Sequence, residues 1–339
     1  MSSKEFDLAF YSALTPLHIG VGRAPGAVDL PIARDSFGLP FIPGSSIKGS
    51  VKSFCLRECS RRFDFCLEKR SGTFGGSLIK DPWENPCLRY FGWDLRLSET
   101  GAEEAYISPI SLTDAFLFLF PVKYETGEEV GFGYATSDLV LQQAISMTSI
   151  VTKERENSDI ELNDVKPYGE LYLNGVSVSI DEVSKLHEKF KDNDQVKVLL
   201  GLLDNMLETK PESEILSLVK YLLKKDDGEL KLFVVPTSEF KEVVEAGIMR
   251  MTRVRLDYVR KAVERGALWT EEYVPQGAVF LGLAEYNFVV IKDECAVDPP
   301  DARTFLNKVL DMTSNILDVG GKETIGKGLV HVSLQPQER

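Results

Sequence analysis

Segments with strand periodicity and segments with helix periodicity follow one another along this 339-residue chain, but without a regular βαβ repeat. Continuous or alternating apolar runs predict strands over residues 6–14, 110–122, 131–135, 171–180, 230–236, 278–291 and 329–334. Helices are predicted from Ser45 or Ser46 to about Leu67, from about Asp138, over 181–207 and 212–225, and after the caps Ser238 and Asp301. This irregular order favours an α+β fold, with helices on one face of a sheet, over a doubly wound parallel sheet.

Two of the predicted helices carry a clear apolar stripe. In the first helix, the stripe is formed by Ile47, Val51, Phe54 and Cys55, with Lys48 and Lys52 on a neighbouring face. In the last helix, the stripe is formed by Phe305, Val309, Met312 and Ile316. Both helices are therefore expected to pack one side against the sheet.

The length fits about two domains or one elaborated domain. No internal repeat and no low-complexity linker divides the chain. We expect one sheet domain built from residues 1–150 and 231–339, interrupted by an acidic and mostly helical insertion over 151–230. A basic hairpin over about 247–275 and a glycine-rich loop over 320–328 belong to the second part of that domain.

The charge of the chain is uneven. The formal net charge of −13 argues against a protein that binds nucleic acid anywhere on its surface. Residues 45–70 nevertheless hold seven basic against three acidic residues, and residues 246–266 hold six against two. Residues 151–230 hold 18 acidic against 11 basic residues. The two basic windows are candidate phosphate contacts, or alternatively solvated faces of a helix and a hairpin.

The cysteines and the apolar runs bear on location. No apolar signal-peptide region follows Met1, and the longest strongly apolar run, residues 115–122, is too short to span a bilayer. The odd number of cysteines has no framework spacing, so we expect a cytoplasmic protein with buried free thiols. A zinc site is disfavoured because the spacing matches no common knuckle; its candidate ligands are Cys55, Cys59, Cys66 and Cys87.

The glycine-rich loop at 320–328 partly fits the spacing of a P-loop. Gly328 stands where a magnesium-binding Ser or Thr belongs, and the loop lies between a predicted helix and a predicted strand. Nucleotide hydrolysis is therefore disfavoured. Glycines still let backbone N–H groups approach a phosphate, and Lys322 and Lys327 add charge, although a plain tight turn would use the same residues.

Asp29 is a lone carboxylate in an apolar stretch of a glycine- and proline-rich segment. A carboxylate in this setting is either a turn cap or a functional acid. The nearby His18 is either a structural histidine or a group that can shuttle a proton. The residues alone leave both pairs of alternatives open.

Several motifs together resemble one family. They are residues 18–22 (His-Ile-Gly-Val-Gly), 28–32 (Val-Asp-Leu-Pro-Ile), 42–49 (Ile-Pro-Gly-Ser-Ser-Ile-Lys-Gly) and the loop at 320–328. This set resembles the RAMP superfamily of CRISPR proteins. Two further blocks, residues 112–122 and 266–275, are similar to the backbone subunit of the type III-B (Cmr) effector complex. The resemblance runs from residue 6 to 333 and is weak over about 151–230.

The resemblance implies an RRM-like (ferredoxin-like) palm with a thumb β-hairpin and a helical insertion. It implies copies that self-associate along a guide crRNA, together with other Cmr subunits and without a membrane, in antiviral defence. Each thumb would enter the guide–target duplex, and each copy would cut the target RNA with a divalent metal, Mg²⁺ or Mn²⁺. Basic residues interleave with Met251, Val254, Leu256 and Tyr258 in the expected thumb, as a wedge in a duplex requires.

The resemblance places the catalytic Asp, which would also hold the metal, at Asp29. It places His18, Glu271 and Tyr273 near the scissile phosphate; the last two alternate on a strand and so point to one face, or alternatively form a solvated strand end. Matching motifs and the basic windows together give the expected RNA contacts, which are Gly20, Gly22, Arg34, Ser45, Ser46, Lys48, Lys52, Arg250, Arg253, Arg255, Gly321, Lys322 and Lys327.

The expected chemistry needs little from the protein because RNA carries its own nucleophile, the 2′-OH. A splayed nucleotide aligns this oxygen with the leaving oxygen, and one carboxylate suits a loosely held, mostly hydrated cation. The alternatives are a guide-binding subunit without catalysis, a type III-A backbone homologue, or a stand-alone guide-processing RNase of the same superfamily.

Overall fold

A computed structural model describes residues 5–23, 26, 28–62, 85–92, 107–127, 129–151, 170–208, 231–257, 259–287 and 301–336. The helices in these ranges are α1 Gly44–Arg62, α2 Pro86–Phe91, α3 Asp138–Val151, α4 Ile180–Phe190, α5 Asp194–Glu208, α6 Thr237–Gly247 and α7 Ala302–Met312. The strands are β1 Glu5–Ala13, β2 Phe41–Ile42, β3 Ile110–Leu112, β4 Ala115–Glu125, β5 Val130–Ser137, β6 Leu171–Leu173, β7 Val176–Val178, β8 Leu232–Val235, β9 Met249–Leu256, β10 Val263–Tyr273, β11 Val279–Tyr286, β12 Ile316–Asp318 and β13 Leu329–Pro336.

One large sheet organises the described chain, and it confirms the mixed α+β fold. Its strand order is β12-β13-β1-β11-β4-β5-β8, with β2, β3 and β6 joined to inner strands and β7 joined to β6. The pairs are antiparallel except for β5 with β8. Strand β1 lies inside the sheet, between β13 and β11. Seven successive residues of this strand are buried, as expected for a strand covered on both faces.

One hydrophobic core joins the sheet and its helices, and it includes residues of the acidic segment such as Val183 and Leu199. The stripe predicted for α1 is confirmed: Ile47, Val51 and Cys55 are buried, and Phe54 is partly buried against the core. Burial of an apolar side chain of this size stabilises a fold by about 1.5–3 kcal/mol. Packing of this stripe therefore orients the opposite face of α1 away from the core.

The first helix does not start at Ser45 or Ser46, although the sequence predicts a serine cap there. It begins at Gly44, whose N–H donates to Asp114 Oδ1 at 2.7 Å. A Cβ at Gly44 would lie 2.2 Å from the carbonyl oxygen of Leu112, so this close approach requires glycine. A carboxylate 70 residues away thus replaces the local cap that Ser45 or Ser46 was expected to supply.

Of the two other predicted helix caps, Ser238 is wrong and Asp301 is confirmed. Helix α6 begins at Thr237, directly after Pro236, so Ser238 lies inside the helix and is not its cap. Helix α7 is capped as predicted, because Asp301 Oδ1 accepts the N–H of Thr304 at 2.8 Å. That helix ends at Met312, and Ile316 lies in β12 instead of on its apolar face.

Three predicted elements are each divided in the structure. The strand expected over 110–122 is two strands, β3 and β4, separated at residues 113–114. The strand expected over 171–180 is a hairpin of β6 and β7, turned by Asn174 and Gly175, which both have positive φ. Such Asn-Gly turns match the twist of paired strands. The helix expected over 181–207 is two helices, α4 and α5, separated at residues 191–193. The helix expected over 212–225 lies outside the described residues.

The acidic segment covers one edge of the sheet. Strand β6 pairs with β4, and α4 packs on β8, the last strand at that edge. His187 of α4 accepts the backbone N–H of Val234 through Nε2 at 3.0 Å. An outward N–H of the edge strand is therefore satisfied by a side chain from the segment that interrupts the sheet domain.

Cys55 and Cys87 form a disulfide between α1 and α2, with their Cα atoms 5.7 Å apart. The prediction of free buried thiols is wrong for these two residues, although both are buried. Their helices pack against each other, which no spacing in the sequence indicates. Cys66 lies outside the described residues. Among the helices that are described, none is long and apolar enough to cross a membrane.

Candidate active site and nucleic-acid interface

Asp29 lies in a loop that runs along the basic hairpin of β9 and β10. In this loop, the N–H of Leu30 donates to the carbonyl of Thr270 in β10 at 3.0 Å. The carbonyl of Leu30 in turn accepts the N–H of Glu272 at 3.1 Å. Asp29 Oδ2 accepts the N–H of Thr270 at 2.9 Å, and the residue is exposed. Its Oδ1 accepts no hydrogen bond from a described residue, so the carboxylate is anchored at one oxygen and available at the other.

His18 is buried and faces the same strand. Its Nδ1 lies 2.8 Å from the carbonyl oxygen of Glu272, and its ring lies 5.4 Å from that of Tyr273, centroid to centroid. Because a carbonyl can only accept, Nδ1 is the nitrogen that donates in this hydrogen bond. A Cβ at Gly20 would lie 2.7 Å from Nε2, so only glycine leaves room for the ring here.

Glu271 is 1% exposed and its two carboxylate oxygens have four donors. Oε1 accepts from Trp269 Nε1 at 2.7 Å and from Lys322 Nζ at 2.5 Å. Oε2 accepts from Arg253 Nε at 3.3 Å and from the hydroxyl of Tyr273. Burial opposes the charge of Glu271, but the bonds from Lys322, Tyr273 and Trp269 lower its pKa to about 2. A carboxylate that is satisfied in this way holds neighbouring groups in place and is a poor proton acceptor near neutral pH.

Tyr273 is fully buried beside Glu271. Its pKa is raised by burial and by its hydrogen bond to Glu271, against the charge of Arg253. Lys327 Nζ lies 5.5 Å from the centre of its ring, a cation–π contact. The prediction that Glu271 and Tyr273 share one face is confirmed by their hydrogen bond. Asp29 is thus exposed, whereas the other three predicted catalytic residues are buried.

Several basic residues expected to contact RNA bind carboxylates of the chain itself. Arg34 pairs with Glu245 at 2.8 Å and with Glu272 at 3.1 Å. Arg250 pairs with the same two carboxylates, at 2.9 Å and 3.2 Å. Glu245 and Glu272 were missed by the sequence analysis. The hairpin register would have indicated one of these pairs, because Arg250 lies opposite Glu272.

The other two arginines of β9 are also paired. Arg253 bonds to the buried Glu271, and Arg255 pairs with Glu264 at 3.1 Å. Lys322, from the glycine-rich loop, pairs with Glu271 as well. The positive charge of the three β9 arginines is therefore largely neutralised by glutamates on the same ribbon and on α6.

Lys48 and Lys52 project from α1 to backbone carbonyls. Lys48 Nζ donates to the carbonyl of Ile110 at 3.0 Å, and Lys52 Nζ donates to that of Gly92 at 2.7 Å. Burial, followed by the charge of Lys52, lowers the pKa of Lys48. Since a carbonyl carries no net charge, the bond to Ile110 does not cancel the positive charge of Lys48.

A groove of about 660 Å³ lies between α1 and the glycine-rich loop. The predicted site residues that line it are His18, Gly20, Gly22, Ser46, Gly321 and Lys322. Arg57 also lines it; this residue is exposed, and no described carboxylate pairs with it. The other predicted RNA contacts do not line this groove; they are Arg34, Ser45, Lys48, Lys52, Arg250, Arg253, Arg255 and Lys327.

Backbone bonds close the glycine-rich loop at its base. Val319 N–H donates to the carbonyl of Gly328 at 2.8 Å, and Gly321 N–H donates to the carbonyl of His18 at 2.9 Å. A Cβ at Gly328 would lie 2.4 Å from the carbonyl oxygen of Val319, and Gly328 has a φ of 85°. The loop leads into strand β13 rather than a helix, so it is not a P-loop.

The β9–β10 ribbon confirms the predicted hairpin and has two different faces. Leu256 lies opposite Val263 and Val254 lies opposite Leu268, so these four apolar side chains share one face. All four are exposed, as is Val259 at the tip. Arg253 and Arg255 point to the other face. Met251 is half-buried, and Tyr258 lies outside the described residues.

The class of protein follows from a family match over nearly the whole chain. The model of the RAMP superfamily matches residues 10–331, so this chain belongs to the RAMP superfamily. A curated relative from Pyrococcus furiosus, the CRISPR system Cmr endoribonuclease Cmr4, is 26% identical over 332 residues. The aligned region covers 95% of this chain and 93% of that protein.

Solved structures share the fold. A chain in the cryo-EM structure of type III-B Cmr-beta bound to cognate target RNA has a TM-score of 0.61 at 21% identity, covering 97% of this chain and 96% of its own length. The crystal structure of oligomeric Cmr4 from Pyrococcus furiosus has a TM-score of 0.52 at 20% identity, covering 99% and 100%. These likenesses show a common α+β architecture.

Proposed function

We propose that this chain is the backbone subunit of a type III-B CRISPR effector complex and cuts target RNA within it. The observation that carries this proposal is Asp29, an exposed carboxylate anchored through Oδ2 to Thr270 of the hairpin. The family membership and the endoribonuclease name of the Pyrococcus furiosus relative support it. The resemblance in sequence places the catalytic Asp of the family at this residue.

In this proposal the large sheet is the RRM-like palm, the β9–β10 ribbon is the thumb, and the acidic segment is the helical insertion. The exposed apolar face of the ribbon suits a wedge between stacked bases, because apolar side chains can replace a base in a stack. The arginines on its other face are held by glutamates and stiffen the ribbon instead of presenting free charge.

The guide crRNA would lie in the groove between α1 and the glycine-rich loop. Backbone N–H groups of the loop and the charge of Arg57 suit a phosphate chain. Copies would stack along the guide beside other Cmr subunits; the oligomeric crystal structure of Cmr4 from Pyrococcus furiosus supports this self-association. The acidic remainder of the surface limits indiscriminate binding of RNA.

The cleavage itself would use the 2′-OH of the target strand as the nucleophile. The 2′-oxygen attacks the adjacent phosphorus, the bond to the 5′-oxygen breaks, and a 2′,3′-cyclic phosphate and a 5′-hydroxyl result. The protein contributes by holding the splayed nucleotide in line and by placing Asp29 near the reacting groups. His18, whose Nδ1 is bound to the carbonyl of Glu272, lies beside the strand that anchors Asp29 and is the candidate group for moving a proton.

The residues present fit a loosely held Mg²⁺ or Mn²⁺. Asp29 offers one carboxylate oxygen that no described residue occupies, and oxygen is the ligand such ions prefer. In the described part of the chain, no three His, Cys, Asp or Glu side chains are grouped to hold a metal. One carboxylate therefore suits an ion that keeps most of its water. When bound, such an ion would neutralise charge that develops on phosphate oxygens.

The proposal is tested with Asp29→Ala in a complex reconstituted with guide RNA. We expect target cleavage to be lost while guide and target affinities stay within about twofold, because Asp29 is exposed and supports no core contact. Glu182→Gln on the surface of α4 is the control and should cut normally. Full cleavage by Asp29→Ala would leave only the guide-binding role. Cutting of a repeat hairpin by the isolated subunit would instead favour a guide-processing RNase.

A further inference from the structure

We infer that Glu272 is a positioning residue for the proposed cleavage: its buried carboxylate fixes the loop that carries Asp29 against the strand that holds His18. This inference rests on the proposed function and extends it to a residue that neither the motifs nor the family resemblance singled out. Glu272 is 4% exposed, so its charge must be compensated within the protein.

The backbone of Glu272 joins the two other parts of the site. Its N–H donates to the carbonyl of Leu30, the residue after Asp29, at 3.1 Å. Its carbonyl accepts Nδ1 of His18 at 2.8 Å. One peptide position on β10 therefore sets the distance between the Asp29 loop and the His18 ring.

The side chain of Glu272 holds the continuation of the same loop. Oε2 accepts from Arg34 Nη1 at 3.1 Å and from the N–H of Ile32 at 3.4 Å. Oε1 accepts from Arg250 Nε at 3.2 Å. Both oxygens are thus used: the two arginines supply charged donors, and the third donor is a backbone N–H.

Glu245 of α6 completes a closed arrangement of four charges. It accepts from Arg34 at 2.8 Å and from Arg250 at 2.9 Å, so each arginine bridges both glutamates. Two carboxylates and two guanidiniums cancel, and they tie three segments together: the loop, the hairpin and α6. Arginine suits this role because its planar fork donates in two directions at once.

The consequence for catalysis is geometric. Asp29 itself has one hydrogen bond, from Thr270, so its position depends on the segment that follows it. Misplacement of a catalytic group by about 1 Å can cost on the order of 100-fold in rate. Removing the charge of Glu272 releases Arg34 and Ile32 and lets the loop shift while the RNA-binding groove stays in place.

The test compares Glu272→Gln with the parent subunit in the reconstituted complex with guide and target RNA. We expect single-turnover cleavage to slow by about 10- to 100-fold with guide and target affinities unchanged. Hydrogen–deuterium exchange should rise in residues 28–34 and not across the sheet. Glu272→Asp, which keeps the charge, should recover part of the rate.

Asp7→Asn is the matched control. Asp7 of β1 is also a buried carboxylate paired with an arginine, Arg303 at 2.9 Å, and it accepts the hydroxyl of Tyr286 in β11 at 2.7 Å. Asp7→Asn should lower the thermal stability of the subunit about as much as Glu272→Gln does, and it should leave the cleavage rate of the assembled complex unchanged. If Glu272→Gln does not assemble, Arg34→Lys replaces it, because lysine keeps the charge and loses the two-way bridge.

The outcomes separate this inference from the proposed function. Unchanged cleavage by Glu272→Gln, in a complex that Asp29→Ala inactivates, would overturn the inference and leave the proposed function in place. Unchanged cleavage by both variants would overturn both. Exchange that rises throughout the chain, with a rate loss no larger than that of Asp7→Asn, would show a purely structural carboxylate and also overturn the inference.

Discussion

The two basic windows have the same net charge in the sequence, but the three arginines of β9 and the described basic residues of α1 meet different partners. In the hairpin window, Arg250, Arg253 and Arg255 each pair with a glutamate. In the helix window, Lys48 binds a neutral carbonyl, and Arg57 lines the groove without a described carboxylate partner. The comparison teaches that a count of charges along the chain measures potential only where no partner from elsewhere cancels it.

The largest effect should come from removing the partner on the hairpin side. Glu271→Gln would leave Arg253 and Lys322 beside a buried amide without a compensating charge. We expect the free energy of unfolding to fall by about 3–5 kcal/mol, measured by urea denaturation. Glu264→Gln, which breaks the exposed pair with Arg255, is the control and should cost at most about 1 kcal/mol. Equal effects from the two variants would show that the buried pairing contributes nothing special.

The next prediction is a pH-dependent change of about 3 kcal/mol in the free energy of unfolding. His331 of β13 is buried, its Nδ1 has no hydrogen-bond partner among the described residues, and burial lowers its pKa to about 4. The unfolded chain takes up this proton below about pH 6.5, so stability should fall by about 3 kcal/mol between pH 6.5 and 4. His331→Gln should abolish this loss in thermal unfolding scans across that range.

Glu271 affects stability in a lower pH range than His331, so the same scans separate the two groups. Its folded pKa of about 2 lies below the ordinary value of 4.5, so its contribution is complete above pH 4.5 and is lost as the pH falls towards 2. A loss of stability between pH 6.5 and 4.5 therefore reports His331 and not the hairpin network. If the His331→Gln variant keeps the full loss in that range, the assignment to His331 is wrong.

The smallest expected effect concerns single charges in guide binding. Arg57→Ala should reduce the slope of log affinity against log salt by about 1, because one phosphate contact is lost. Arg250→Ala should leave that slope unchanged, since its charge is already cancelled by Glu245 and Glu272. Guide crRNA binding measured at several salt concentrations checks both. A larger change for Arg250 than for Arg57 would reverse the comparison.

The sequence predicted the parts of the fold that depend on local periodicity. The central strand, the hairpin and the apolar stripe of α1 were confirmed because each follows from a repeat of 2 or 3.6 residues within one element. The Asn174-Gly175 turn was also readable from the sequence, since this dipeptide is a strong hairpin signal, but it was missed inside an alternating run.

The parts that could not be predicted depend on contacts between distant segments. Asp114 replaces a serine cap at α1, Cys87 reaches Cys55, and Glu245 meets Arg34 only after the sheet has formed. The same holds for the predicted site. The resemblance drew attention to Asp29 and Glu271, but the saturation of Glu271 and the bridging place of Glu272 follow from the fold.

The contact between His187 and β8 limits how this subunit can be shortened. Deleting residues 152–230 would remove the acceptor of the Val234 N–H and the strand that extends β4. The exposed edge would then offer unpaired N–H and carbonyl groups to other chains, which favours aggregation. A minimal version of the protein would therefore have to keep residues 170–200, or place a charged residue or a proline on β8, before any acidic part of the surface could be trimmed.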